Sequence, residues 1–595
     1  MGLAPSSSRV VAPRESPCDG SREMHLVPWL AFALVIITTL ACMRAAKSRS
    51  MAAVFAAVGV TLLPSVRDAG IVLALFGMSF VFLLVLRGCE QRPWRLRHLR
   101  LLRVFLFRLS NNTFSALLFT VMFVLAWSLS WVLFHGEPVI QDSQAQLFHA
   151  RILASGRWVA PLPEMPEFFA AEHVITEGAF YSQYPPGHIA VLALGVLLGA
   201  PSAINPLLGA LGLLVLRALG AALYGEKTGR RAALLGLLSP FSLFMSSEYM
   251  NHASGFLAFG LVLLATAKLT RDKHEMALGK ALGWSLVCGL AMGAVVLVRP
   301  LTGVLCVPIA FYLASWALGN LRRRLLPLFV IGALGLGLSL LLLQWNALTT
   351  GDPFLWGYIV RWGPEHTLGF GISPWGEPHT PWLGLQHSLS NFDAWNLFLF
   401  GGPLPALFFV ALGVERDRGD ALTWALVVAP LALVAIHFAY FFQDLTFGPR
   451  YLYEGSVIAF LLAARGIETL PAHVAAWRAV SPQRANRLTM LGIVLSAALA
   501  LGTVFPGLAL EYSLTYAAYG RVVEPAQALV QGERAVIFVE DLQDAGYALD
   551  PDAAAPILFV LDLGDANNAR FVCAHAERAA FTHREGRFER VTCSR

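Results

Sequence analysis

The sequence contains few charged residues for its length. Only 14% of its 595 residues are Asp, Glu, Lys or Arg, whereas 56% are hydrophobic and the mean hydropathy is +0.61. A soluble protein of this size would have no interior large enough for that apolar surface, whereas a protein that crosses a membrane many times leaves it against lipid. The net charge of +6 comes from short basic clusters between apolar runs, which is typical of membrane topology signals and not of nucleic-acid binding. We therefore expect an α-helical polytopic membrane protein with no nucleic-acid partner.

Motifs of several enzyme classes are also missing. There is no H-E-x-x-H, no C-x-x-C and no D-x-D beside Asp142, so no metal site stands out. Gly332, Gly335 and Gly337 are not followed by Lys-Ser or Lys-Thr, and they suit close helix packing better than a phosphate-binding loop. The sequence requires no cofactor. It leaves open a divalent cation held by Asp142 and a substrate phosphate.

Cysteine is scarce, with seven residues in the chain. Cys573 and Cys593 lie in the polar C-terminal segment. If that segment is outside the cytoplasm, a disulfide between them is one expectation and two free thiols are the other. The remaining five cysteines have the spacing of isolated packing residues.

Apolar runs appear early in the chain. A polar tail (1–23) precedes an N-terminal extension (24–112) with three predicted spans, near 26–43, 51–66 and 69–86. The first run resembles a signal peptide in length, but the many later spans favour an ordinary transmembrane helix. The extension ends in a basic loop, which we place in the cytoplasm; its arginines are Arg87, Arg92, Arg95, Arg97, Arg100, Arg103 and Arg108.

With that loop inside, residues 113–510 form the main membrane domain. Its first span, 113–134, leads to an outside loop at 135–202. The apolar segment 188–198 is too short to cross and is expected to lie in the interface. About eleven crossings are predicted from residue 113 onward, in addition to about three in the N-terminal extension. After the first, they lie near 203–224, 232–247, 254–269, 281–298, 301–318, 325–345, 394–413, 421–440, 453–467 and 489–509.

Two later segments are predicted outside the membrane. The loop 346–393 is long and rich in Trp, Gly and Pro, which indicates a functional loop more than a connection. Residues 511–595 read as a small α/β domain, with strands at 535–539 and 557–561 and a helix near 566–580.

The first outside loop contains the candidate catalytic residue, Asp142. It opens a predicted short helix on which Ala145, Phe148 and Ile152 share one face. A carboxylate at the rim of a membrane bundle is suited to general-base chemistry. The alternative is that Asp142 caps the helix.

Several segments in this region resemble the GT-C glycosyltransferases. The stretch HGEPVIQDSQAQLFHARILASGRWVAP, followed by EFF and YSQYPPGH, is similar to the first extracytoplasmic loop of the lipid A aminoarabinose transferases and the protein O-mannosyltransferases. LLSPFSLFMSS, VLVRPLTGVLCVPIAF, TTGDPF and FGPRYLYEGSVIAFLLAARGIE resemble later landmarks in the same order, so the likeness covers about residues 113–470. Protein O-mannosyltransferases have an Asp-Glu pair where this chain has the single carboxylate of Asp142. Because of this difference, the resemblance supports a protein hydroxyl as the acceptor less strongly.

The resemblance implies a GT-C-like bundle and an inverting transfer of a sugar. The donor would be a polyprenyl-phosphate sugar and the acceptor a lipid, a glycan or a protein, at the periplasmic face of a bacterial inner membrane. Asp142 would take the proton of the acceptor hydroxyl. Arg299 and Arg450, the latter beside Tyr451, would meet the charge of the leaving phosphate. For both arginines, snorkelling to the interface is the alternative.

The substrate-binding candidates fall into three groups, each with a structural alternative. Glu172 and His173 would bind the sugar or assist Asp142, and the alternative for them is a solvated loop. Glu248, Asn251 and His252 would line the sugar site, with ordinary interfacial polarity as the alternative. Tyr184 and His188 would contact the ligand from the Pro-Pro turn, for which a scaffold role is the alternative.

Two rival functions share this architecture. A transporter or flippase of lipid-linked saccharides would use Asp142 or Arg299 as a coupling charge, but no inverted repeat is evident. A ligase or polymerase of O-antigen type would also use a polyprenyl carrier. Its essential loop normally comes late in the chain, whereas here the landmark loop comes first.

Overall fold

A computed structural model describes residues 108–593, apart from 273–275, 403–404, 517–519 and 546–547. The polar tail, the three N-terminal spans and the basic loop before Arg108 lie outside the described residues.

The membrane domain is a bundle of helices around one hydrophobic core. Its segments are helical because a helix satisfies all of its backbone hydrogen bonds internally, as lipid requires. In chain order the helices are α1 (Asn111–Phe134), α2 (Gln141–Ala154), α3 (Pro186–Leu197), α4 (Ile204–Tyr224), α5 (Glu226–Leu237), α6 (Pro240–Ser247), α7 (His252–Thr270), α8 (Leu278–Val298), α9 (Cys306–Leu318), α10 (Leu321–Thr350), α11 (Gly357–Trp362), α12 (Pro381–Phe400), α13 (Ala406–Arg416), α14 (Ala421–Phe438), α15 (Ser456–Arg478), α16 (Pro482–Leu499) and α17 (Phe505–Tyr516).

Nine helical segments in the described part of the chain are long and apolar enough to cross a membrane. Six of them are α1, α7, α8, α10, α14 and α15. Two more are α4 and α9 together with the 3-10 turns before them, as Pro201–Tyr224 and Pro300–Leu318. The ninth is the continuous run Pro482–Tyr516, which joins α16 to α17 through a π-helical turn. Helix α3 is shorter than a span, as predicted for the interfacial segment.

Two predicted spans are broken helices, so the prediction of single spans at 232–247 and 394–413 is wrong. Proline lacks the amide hydrogen that a continuous helix needs, and Pro240 starts α6 after a break at Ser239. Helix α12 ends at Gly401, whose φ of 58° is left-handed. The two breaks pack together, because a Cβ on Gly401 would lie 2.7 Å from the Pro240 ring.

The contacts at the ends of α5 and α6 show that this broken pair still connects the two ends of the bundle. Helix α5 begins beside Glu468, which accepts a hydrogen bond from Thr228. Helix α6 ends just before Glu248, which lies against α2. We call the end that carries Asp142 the site end, and the end that carries Glu468 the opposite end.

The first outside loop folds over the site end. After α2 it forms a 3-10 turn at Pro166–Phe169 and a hairpin of β1 (Val174–Ile175) and β2 (Tyr181–Ser182). Helix α2 is buried on almost all sides, including Gln144 and His149. The prediction of a single buried apolar face is therefore incomplete, because polar side chains of α2 are buried as well.

The second outside loop is shorter than predicted. Helix α10 continues to Thr350 and α12 starts at Pro381, so only 351–380 lies between them. This segment contains α11 and a hairpin of β3 (Gly371–Ile372) and β4 (Pro378–His379).

The C-terminal residues form a four-stranded sheet with two helices. The elements are α18 (Val523–Val530), β5 (Ala535–Val539), β6 (Ile557–Leu561), α19 (Asp565–Ala574), β7 (Ala579–Arg584) and β8 (Arg587–Arg590). The strand order is β6-β5-β7-β8, with β5 parallel to both β6 and β7, and β8 antiparallel to β7. Cys573 and Cys593 are joined by a disulfide.

This C-terminal sheet packs directly on the first outside loop. The Phe168 ring lies 4.7 Å from that of Phe571 and 6.0 Å from that of Phe538. Arg157 pairs with Asp552, and the two segments share one buried apolar cluster. The loop that carries Asp142 therefore has the end of the chain as its outer support.

Candidate active site

Asp142 occupies the first turn of α2 and does not cap it. Its Oδ1 accepts a hydrogen bond from Tyr184 Oη at 2.7 Å, and its Oδ2 lies 3.3 Å from Arg450 Nη1. The side chain is 25% exposed, so it remains open to a ligand. The residue before α2, Ile140, makes no side-chain cap. The helix-capping alternative is therefore excluded for Asp142.

The segment that leads into α2 is held by Glu248, on a distant part of the chain. Its carboxylate accepts hydrogen bonds from the amide of Val139 at 3.2 Å, from the amide of Met250 at 2.8 Å and from the Ser143 hydroxyl. Burial raises the pKa of Glu248 to about 7. This carboxylate is committed to fixing the start of α2, so we assign it that role in place of the predicted sugar contact.

Replacing Glu248 by Ala is expected to lower the free energy of unfolding by about 1–3 kcal/mol, because buried amides lose their acceptor. Thermal unfolding in detergent measures the loss. Glu248→Gln keeps one oxygen and should fall between Ala and wild type. Equal melting temperatures for all three proteins would contradict the role of Glu248 in anchoring the start of α2.

Tyr184 links Asp142 to the rest of the loop. Its ring contacts those of His173 and Tyr358, with centroids 5.7 Å away in each case. Burial lowers the pKa of His173 and raises that of Glu172. The structure thus places Tyr184 and His173 next to Asp142, and Glu172 close enough for the charge of Asp142 to raise its pKa.

Arg450 lies between two carboxylates. Its second terminal nitrogen is 2.5 Å from Asp444 Oδ2, and the arginine side chain is only 4% exposed. Burial alone would raise the pKa of Asp142, but the Arg450 charge and the Tyr184 hydrogen bond outweigh it and hold that pKa well below its usual range. Asp142 is therefore ionised at neutral pH.

Sequence reasoning missed Asp444. A carboxylate at the end of an apolar run is costly unless it is paired or functional, and that cost was the available signal. Glu454, in the segment Tyr453-Glu454-Gly455, was missed in the same way.

The second arginine, Arg299, shares an aromatic platform with Arg450. The centre of its guanidinium lies 5.1 Å from the Tyr451 ring centroid, and that of Arg450 lies 5.5 Å away. Arg299 also contacts the ring of His252, whose Nδ1 is 3.1 Å from Glu454 Oε1. All three predicted phosphate-site residues are therefore at one place.

Two predicted ligand contacts belong to the scaffold. Both ring nitrogens of His188 have protein partners, namely the Ser254 hydroxyl at 2.8 Å and the Tyr249 carbonyl at 2.7 Å. Asn251 donates to the Val298 carbonyl at 3.4 Å. These contacts tie α3 to α7, and α7 to α8.

Within the described residues, no group of three or more His, Cys, Asp or Glu is arranged to hold a metal ion. The position between Asp142 and Asp444 is filled by the Arg450 guanidinium.

No protein family and no curated protein sequence matches this chain. Among solved structures, similar ones include ArnT from Cupriavidus metallidurans bound to undecaprenyl phosphate, at 14% identity and a TM-score of 0.49, covering 80% of this chain and 94% of ArnT. The apo state of ArnT gives 16% identity and a TM-score of 0.46, over 73% of this chain and 84% of ArnT. The Archaeoglobus fulgidus oligosaccharyltransferase AglB, in complex with an inhibitory peptide and a dolichol-phosphate, gives 14% and 0.41, over 78% and 69%.

ArnT, a lipid A aminoarabinose transferase, and AglB are both GT-C glycosyltransferases, the group that the sequence motifs resemble. Structural similarity at such low sequence identity concerns only the path of the backbone.

Proposed function

We propose that this protein is a membrane glycosyltransferase that moves a sugar, a hexose or a pentose, from a polyprenyl-phosphate carrier to an acceptor hydroxyl. The observation that supports the proposal is that side chains of opposite charge lie close together at one end of an apolar helical bundle. An ionised carboxylate, Asp142, lies beside the guanidinium of Arg450, which shares the Tyr451 ring with the guanidinium of Arg299. A base for the acceptor and cations for a phosphate are the two requirements of this reaction.

Asp142 acts as the general base. The acceptor oxygen attacks the anomeric carbon of the donor, and the bond from that carbon to the phosphate oxygen breaks. As the new C–O bond forms, the acceptor oxygen becomes strongly acidic and its proton passes to Asp142. A carboxylate of low pKa is adequate because the proton is transferred late. Attack opposite the leaving phosphate inverts the anomeric configuration.

A guanidinium stabilises the leaving group. The phosphate takes the electron pair of the broken bond and departs as polyprenyl phosphate, while its charge grows in a poorly hydrated site. Fixed cationic N–H donors are suited to that charge.

The polyprenyl chain would reach this point from the bilayer. Phe442 and Leu445 flank Asp444 in the sequence and are 37% and 41% exposed. Apolar surface therefore borders the charged site, as a lipid-linked donor requires. The acceptor, whether a lipid, a glycan or a protein, would approach from the side covered by the two outside loops and by residues 511–595.

We infer that the site end faces the periplasm of a bacterium. The opposite end carries Lys227, Arg230 and Arg231, and positive charge marks the cytoplasmic ends of membrane helices. The Cys573–Cys593 disulfide is on the site side, as expected of an oxidising compartment.

The test is a transfer assay on the purified protein in liposomes with radiolabelled polyprenyl-phosphate sugars and mixed lipid, glycan and peptide acceptors. We expect label in an acceptor, together with release of polyprenyl phosphate. A broad donor panel with no turnover, combined with movement of labelled lipid between leaflets, would replace the transferase with a transporter.

A further inference from the structure

We propose that His252 and Glu454 are positioning residues that aim Arg299 at the carrier phosphate, whereas Arg450 serves Asp142. This division of labour rests on the proposed function and assigns separate tasks to two arginines that look equivalent in the sequence.

Arg450 is already neutralised by its protein partners. It bridges Asp142 and Asp444 and is almost fully buried. An anionic phosphate brought to this arginine would have to compete with two carboxylates at close range. Two carboxylates around one guanidinium leave a net negative charge, which disfavours binding of a further anion. The positive charge of Arg450 instead keeps Asp142 ionised.

Arg299 has a different environment. Within the described residues it forms no direct ion pair; the charge of Glu454 acts on it across the His252 ring, to which its hydrogen bonds run through Nη1. A neutral imidazole fixes the guanidinium without cancelling its charge. The other N–H groups of Arg299 are therefore left for a ligand, and a guanidinium can bind phosphate through two parallel hydrogen bonds.

Glu454 fixes the tautomer that we assign to His252. Arg299 Nη1 lies against both ring nitrogens, and Glu454 Oε1 lies 3.1 Å from Nδ1. With the carboxylate as acceptor, Nδ1 carries the proton and Nε2 is left to accept from Arg299. The result is a chain of hydrogen bonds from Arg299 through His252 to Glu454. The Tyr451 ring supports the same guanidinium from its face.

The burial of Glu454 is the second, independent observation. Its side chain is fully buried, and Oε2 has no hydrogen-bond partner in the described part of the chain. A buried carboxylate with an unsatisfied oxygen is unfavourable for stability. A role in orienting His252, and through it Arg299, explains why Glu454 is at this position.

The experiment measures KM for the carrier-linked donor, kcat, and binding of undecaprenyl phosphate to the intact protein. His252→Ala and Glu454→Ala are expected to raise KM and to weaken undecaprenyl phosphate binding by about 10- to 100-fold, the range for a lost hydrogen bond to a charged group. Glu454→Gln keeps the acceptor oxygen and should stay within about threefold of wild type. Gly255→Ala should resemble Glu454→Ala, because its Cβ would lie 2.7 Å from Glu454 Oε1 and displace the carboxylate.

A double-mutant cycle separates positioning from a general structural role. If His252 acts through Arg299, adding His252→Ala to Arg299→Ala costs no further binding. Additive losses, or single variants with wild-type KM and binding, would overturn the proposal. If the wild type transfers no sugar, the proposed function fails. The binding cycle still decides whether His252 positions Arg299 for a phosphate.

Discussion

Replacement of Asp142 by Asn should lower sugar transfer by about 10²–10⁴-fold, the usual contribution of a positioned general base. Asn has nearly the same shape and still accepts the Tyr184 hydrogen bond, but it takes no proton from the attacking hydroxyl. The expected loss is therefore in kcat, with KM for the donor changed much less. Steady-state transfer by purified protein in liposomes measures both quantities.

Glu177→Gln is the matched control, because Glu177 is an exposed carboxylate of the same loop. It should transfer at the wild-type rate. If Asp142→Asn also transferred normally, another group would be the base, and Glu172 would be the next carboxylate to replace.

The second large effect is expected for Arg450→Met. Removing this arginine leaves Asp142 and Asp444 as two uncompensated carboxylates in a poorly hydrated site. Breaking a buried charge pair in this way typically costs about 3–5 kcal/mol. Thermal or denaturant unfolding in detergent measures that cost, and Asp444→Asn in the same protein should recover part of it.

The same variant should change the pH dependence of transfer. In the wild type the pKa of Asp142 is depressed, so the stabilisation from the pair is lost only in strong acid, and the base stays ionised from pH 8 to pH 5. Without Arg450, burial is less opposed and the pKa of Asp142 rises. Transfer by Arg450→Met should then fall as the pH is lowered across that interval, whereas protonation of Asp142 should cause no such fall in the wild type.

Arg465 provides the control for this pair of effects. It binds Asp417 through two nitrogens and also pairs with Glu468, but it lies at the opposite end of the bundle. Arg465→Met should lose stability and keep the wild-type pH profile. A shifted profile in Arg465→Met, or an unchanged one in Arg450→Met, would show that Arg450 does not set the protonation of Asp142.

Sequence reasoning identified most of the charged residues at this site, because charge next to an apolar run is rare enough to be noticed. Asp142, Arg299 and Arg450 were found in this way. Their partners were not, since the pairing of Arg450 with Asp444, or of His252 with Glu454, depends on how separate helices meet. No local pattern contains that information.

The errors in the fold have a similar origin. An average of hydropathy over many residues is insensitive to a single proline that starts a new helix, so the break before Pro240 was missed. Glu248 was predicted to line the sugar site, since its hydrogen-bond donors at the start of α2, the Val139 amide and the Ser143 hydroxyl, are distant in the chain. In both cases the local sequence showed which residues are apolar or polar, but it contained no information on which residues contact each other.

The packing of residues 511–595 on the first outside loop has a consequence for how the protein is made. Phe168 belongs to a loop that is synthesised long before its partner, Phe571. Contacts between such distant segments form slowly and only once both are present. The loop that carries Asp142 therefore reaches its final packing only after the C-terminal sheet has been synthesised, so a shorter nascent or truncated chain would be inserted in the membrane with the candidate site incompletely packed.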